Sequence, residues 1–183
     1  MSPGIPAAPP AREAAPGDHR PAGTATQRER KPMSDLQAIA DRFEIEALRG
    51  EFTDAVMMRN YDRVASLFTP DGVWRMPDIP AELAGQEQIR AWGARVPDLV
   101  DFLVQNTHPG TSALDGDTAT GRAYIQEVGR GRDGRGGVNY AIYHDRYRRT
   151  GDGWRFTERV YEIRYLDTTP LAGAAPRAAG DAH

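Results

Sequence analysis

Cysteine is absent from this chain of 183 residues, which excludes disulfides, thiol catalysis and thiolate metal sites. Long apolar runs are missing too: none approaches the ~18 residues needed to cross a bilayer. The N-terminus lacks the charged-then-apolar order of a secretion signal, so the cytoplasm is the expected location and no membrane partner is expected. Positive charge is not in excess. The net charge is −3, whereas a nucleic-acid binder normally presents a basic face. Arg130, Arg132 and Arg135 do cluster, but among glycines and an aspartate and without an aromatic ladder, as in a solvated hairpin loop.

Histidine is scarce, with four in the chain. Two of them, His19 and His183, lie near the ends, and the spacings HxH and HExxH do not occur. No recognisable metal-ligand set remains. The glycine-rich stretch "GRGRDGRGG" joins two strand-like segments instead of opening a helix after a strand. It therefore lacks the setting of a nucleotide loop, and no cofactor is expected.

What is present, 39% hydrophobic and 27% charged residues, suffices for one domain with a real core. Residues 1–33 hold seven of the 14 prolines and no aromatic residue, a composition that cannot pack and is expected to be disordered. The domain is expected over residues 34–169, with a disordered tail over 170–183. Both Met1 and Met33 are open as the initiating residue. Ser34 with Gln37 makes a capping box for a helix, and apolar residues at Leu36, Ile39, Phe43, Ala47 and Leu48, then Phe52, Ala55 and Val56, continue it to about Met58.

After a break at Arg59-Asn60, a second helix is expected from about Tyr61 to Phe68, ending at the turn signal "TPDG". "VWRM" reads as a strand and Gly85–Val96 as a third helix. The period then changes to two. A strand through "DFLVQNT" breaks at His108-Pro109, Asp115-Gly116 signals a hairpin, and long strands follow from Thr118 onward. Helices first and antiparallel strands afterwards imply an α+β fold with helices on one face of a curved sheet.

The helix break "RNYDRVASLFTPDGVW", the segment "GQEQIRAW", the hairpin "LDGDTATGRAYI" and the closing pair "YHDRYRRTGDGWRF" span most of residues 40–165. With these motifs the chain resembles the SnoaL-like branch of the nuclear transport factor 2-like superfamily. The resemblance implies a cone, a strongly bent sheet around a long helix enclosing a deep apolar pocket, and a homodimer formed through the outer face of the sheet. Relatives include polyketide cyclases, scytalone dehydratase and ketosteroid isomerases, besides members without catalysis. In the dehydratase-like relatives an aspartate ending the first helix works with a histidine on the first long strand. Alignment puts these at Met57 and Asn106, unless a two-residue slip brings in His108. Met57 has no proton to give and is expected to line the pocket.

Chemistry is therefore sought on the sheet. His108 is the candidate proton carrier, because imidazole titrates near neutrality; the plainer account is a strand-end histidine bonded to a turn before Pro109. The resemblance implies that Ala141 and Tyr143 face the pocket; alternation then puts Asn139, Asp145 and Tyr147 on the same side and sends His144 outward. Asp145 can serve as acid or base in an apolar cone, or else form a salt bridge with Arg159 or Arg146. Tyr143 can polarise a carbonyl. Glu127 is notable beside Ile125 in an apolar stretch. Asn106, Asn139, Tyr124, Met57, Trp74 and Met76 are the candidate binding residues. The expected function is cofactor-independent proton transfer (cyclisation, isomerisation or dehydration) on a hydrophobic polyketide- or steroid-like molecule. The alternatives are a non-catalytic dimeric pocket protein and an accessory subunit of a dioxygenase.

Overall fold

A computed structural model describes residues 35–79 and 81–173. The expected disordered extension and the end of the tail lie outside these residues, as does Ser34 of the expected capping box. Helix α1 spans Asp35–Met57 and buries Ile45, Leu48, Phe52, Ala55 and Val56 along one face, the i, i+3, i+7 spacing of a core-facing stripe. It ends in a Schellman motif. The Asn60 amide reaches the Ala55 carbonyl at 2.8 Å and the Arg59 amide reaches Val56 at 3.1 Å, with Arg59 in the left-handed region at φ 54°. Asn60 then caps helix α2, Tyr61–Ser66, its side-chain oxygen accepting from the Arg63 amide. The break expected at Arg59-Asn60 is thus a paired stop and start.

Strand β1, Phe68–Met76, absorbs the expected turn "TPDG". Phe68 stands opposite Phe156 and Val73 opposite Glu158, so the turn residues form an irregularity within the strand. A short strand β2, Ala81–Ala84, pairs with β1. It was not expected, since its four residues carry no β-branched side chain. Helix α3, Gly85–Leu99, packs so closely on α2 that a Cβ at Gly93 would lie 2.4 Å from the Tyr61 ring.

Four long strands follow: β3 Val100–Asp115, β4 Thr118–Gly131, β5 Gly136–Thr150 and β6 Gly153–Asp167. The break expected at His108-Pro109 is a bulge inside β3, between His108 and Thr111. Gly110 is required there, because a Cβ would sit 1.7 Å from the Arg122 carbonyl oxygen. The sheet order is β2-β1-β6-β5-β4-β3, antiparallel except for β1 with β6. It is curled but not closed, with α1 in its concave face, which is the α+β cone the sequence implied. Phe52 of α1 holds the centre, edge-on to Phe68, Trp74, Tyr143 and Phe156 at ring distances of 5.3–6.3 Å.

Candidate active site

Alternation along the strands decides what enters the cone. On β4 the inward residues are Ala123, Ile125 and Glu127; on β5 they are Asn139, Ala141, Tyr143, Asp145 and Tyr147; on β6 they are Arg159, Tyr161 and Ile163. Gln105 of β3 lies directly opposite Glu127, so Asn106 opposite Gln126 and His108 opposite Tyr124 fall on the outer face. Asn106, His108 and Tyr124 are all exposed. The structure therefore corrects three expectations: none of these side chains lines the interior, because the register of β3 on β4 points the neighbouring residue inward. His144 also faces out, its Nε2 2.6 Å from Glu162.

Two polar clusters occupy the interior. The deeper one is closed. Arg159 grips Asp145 with two hydrogen bonds of 2.8 Å, and the Tyr147 hydroxyl donates to the same carboxylate at 2.7 Å. Arg49 of α1 donates to that hydroxyl at 2.8 Å and to the Thr111 carbonyl at 2.7 Å. Gly121 leaves room for it, since a Cβ there would lie 2.3 Å from the guanidinium. The Arg159 guanidinium also lies 4.0–4.3 Å from the ring centres of Phe52, Tyr143 and Phe156. Asp145 points inward as alternation requires, but its oxygens are committed to this network, in line with the salt bridge to Arg159.

The second cluster surrounds Glu127, which is 9% exposed. Its Oε1 accepts from Gln105 Nε2 at 2.6 Å. Its Oε2 accepts from Asn139 Nδ2 at 3.1 Å and lies against the Tyr161 hydroxyl, which is also 2.8 Å from Asn139 Oδ1. The Gln105 amide is oriented from α1: Thr53 Oγ1 donates to Gln105 Oε1 at 3.2 Å, leaving Nε2 for Glu127 and, at 3.4 Å, for the Tyr143 hydroxyl. Among the described residues no cation pairs with Glu127. Burial first, and then the neighbouring Glu127 charge, push the hydroxyls of Tyr161 and Tyr143 well above the ordinary tyrosine value. Both stay protonated and available as donors.

Met57 stands at this cluster, its sulfur 3.0 Å from the Gln105 backbone nitrogen. Met57 therefore meets the backbone of β3 at Gln105, and its side chain is partly exposed. Trp74 and Met76 are buried in the core, with Trp74 packed on Trp92 at 5.2 Å.

Residues 37–160 match the family of SnoaL-like domains. The chain belongs to the SnoaL-like family. It is 29% identical over 134 residues to Rv2910c, an uncharacterized protein of Mycobacterium tuberculosis, covering 71% of this chain and 90% of that protein. Among solved structures it resembles LinA, with 26% identity, a TM-score of 0.70 and coverage of 79% of this chain and all of that one. It also shares the fold of the hexachlorocyclohexane dehydrochlorinase LinA-type3 of Novosphingobium barchaimii, at 24% identity and a TM-score of 0.68, covering 77% of this chain and 97% of that one. Gln105 and Glu127 differ in how far the sequence exposes them. Phe102, Leu103 and Val104 are all apolar, so β3 shows no period of two from which to choose the inward residue. Glu127 was legible, as the one acid on the inward face of its strand.

Proposed function

We propose that this SnoaL-like protein is a cofactor-independent cytoplasmic enzyme that moves a proton on a hydrophobic substrate, with Glu127 as acid and base. The observation that carries this reading is a nearly buried carboxylate held only by neutral donors, Gln105, Asn139 and Tyr161. Such a carboxylate, which no described guanidinium neutralises, can take a substrate proton, whereas Asp145 is locked in a bidentate pair with Arg159. Tyr143 is the second member. Its oxygen receives only the long contact from Gln105, and its own proton has no acceptor among the described residues. It would bond a substrate carbonyl while Glu127 takes a proton from the adjacent carbon: a C–H bond breaks and a carboxyl O–H forms. Charge moving onto the carbonyl oxygen meets the Tyr143 donor. Return of the proton at another carbon, or loss of a leaving group, gives isomerisation or elimination.

Substitution Glu127→Gln, which keeps shape, is expected to lower turnover of a responsive substrate by about 10²–10⁴-fold, the usual worth of general acid-base catalysis. Unchanged turnover would refute the assignment. A non-catalytic binding protein is the second reading, favoured by Met57 standing where the dehydratase-like relatives place an aspartate. It predicts binding without turnover in wild type. A homodimer belongs to the same proposal: Val104, Tyr124, Tyr140 and Tyr165 expose apolar surface on the outer sheet face, and sedimentation velocity tests it.

A further inference from the structure

We infer that the Glu127 site selects uncharged ligands that bring a hydroxyl donor, and excludes anions; the inference rests on the reading of Glu127 as the working group. A carboxylate offers about four acceptor positions. Three are taken, by Gln105 Nε2, Asn139 Nδ2 and the Tyr161 hydroxyl, and one remains for a ligand donor.

The guanidinium groups that face this end of the sheet are engaged elsewhere. Arg159 packs on the Tyr143 ring and is committed to Asp145. Arg130 is paired with Asp101 at 2.8 Å, and Arg59 donates to the Asp101 carbonyl at 3.0 Å. The single lysine of the chain is Lys31, before the domain. A ligand carboxylate or phosphate would thus bring its oxygens against a nearly buried carboxylate with no described guanidinium paired to it, where like-charge repulsion is weakly screened. A hydroxyl would instead complete the acceptor set. A cationic ligand is the competing occupant, but three donors already stabilise the carboxylate without one.

The test is equilibrium binding at pH 7 of three probes of one shape: 2-naphthol, 2-naphthoate and 2-naphthylmethylammonium. Binding is followed by NMR shifts of the Gln105 and Asn139 side-chain amides. Wild type is expected to bind 2-naphthol at least tenfold more tightly than either ion, and Glu127→Gln to bring naphthoate within about threefold of naphthol. Adding a cation by Gln105→Lys should invert the preference towards naphthoate. The inference is overturned by naphthoate binding as well as naphthol, by tighter binding of the ammonium probe, or by no binding of any probe at millimolar concentration. These outcomes are separate from the proton-transfer reading, which stands or falls on the turnover of Glu127→Gln.

Discussion

Two carboxylates point into the same cone from adjacent strands, and their surroundings have opposite character. Asp145 is met by a bidentate guanidinium and a tyrosine hydroxyl, with a second arginine 4.0 Å away. Glu127 is met only by two amides and a tyrosine. Burial of a charge is tolerated when it is paired and hydrogen-bonded, so the Asp145 charge is neutralised by Arg159 and serves the core. The Glu127 cluster satisfies its charge with neutral dipoles and keeps capacity for one more partner. The difference is one between a group that holds the fold and a group that can act.

The sharpest way to break that contrast is to remove each carboxylate in turn. Asp145→Ala leaves Arg159 buried without its partner and is expected to cost about 3–5 kcal/mol of stability, as broken buried pairs do. The shift of the urea midpoint measures it. Glu127→Gln should cost only about 1 kcal/mol on the same measurement, since amide partners can re-pair. Equal losses would erase the distinction.

A third buried carboxylate, Asp41, places itself on the structural side. It joins Arg149 at 2.5 Å and Trp154 Nε1 at 3.2 Å. Burial alone would raise its pKa, but hydrogen bonds from Arg149, Gln37 and Trp154 outweigh this and hold the carboxyl below its ordinary 3.8. A depressed carboxyl contributes stability that is complete above the unfolded value and is lost as pH falls through the folded one. Wild type should therefore lose stability below about pH 4. Asp41→Asn should start about 3 kcal/mol lower at pH 7 and show a flatter acid limb in the same thermal titration.

The extent to which this division was legible follows from what each strand announces. On β5 the residues Asn139, Tyr143, Asp145 and Tyr147 share a period-two face, and all four point inward as read. Glu127 stood out because its inward neighbours on β4 are apolar. On β3 three successive apolar residues erase the period, and the inward choice of Gln105 is made by its register on β4, with Thr53, 52 residues earlier, orienting the amide. Arg149 and Trp154, which pair with Asp41, lie 108 and 113 residues away. Such pairings are properties of the closed sheet, and no local pattern carries them.

Within the working cluster the contributions should be graded. Tyr161→Phe removes one donor from the Glu127 carboxylate while leaving the ring, and a hydrogen bond to a charged group is worth about 1.5–3 kcal/mol. Turnover should fall by about tenfold or more, with KM changed less than kcat if the bond matters to the reacting state.

The smallest effect is expected where the imidazole stands. His108 is exposed on the outer face, opposite Tyr124 across the β3–β4 register, separated from Glu127 by the sheet itself. No described ion pair holds it, and exposed substitutions of this kind change stability by about 0.5 kcal/mol or less. His108→Ala should leave both kcat and the urea midpoint near wild type. A large loss of turnover would bring proton transfer back to the imidazole and demand that the β3 register differ in the working enzyme, which hydrogen exchange along Gln105–Thr111 would report directly.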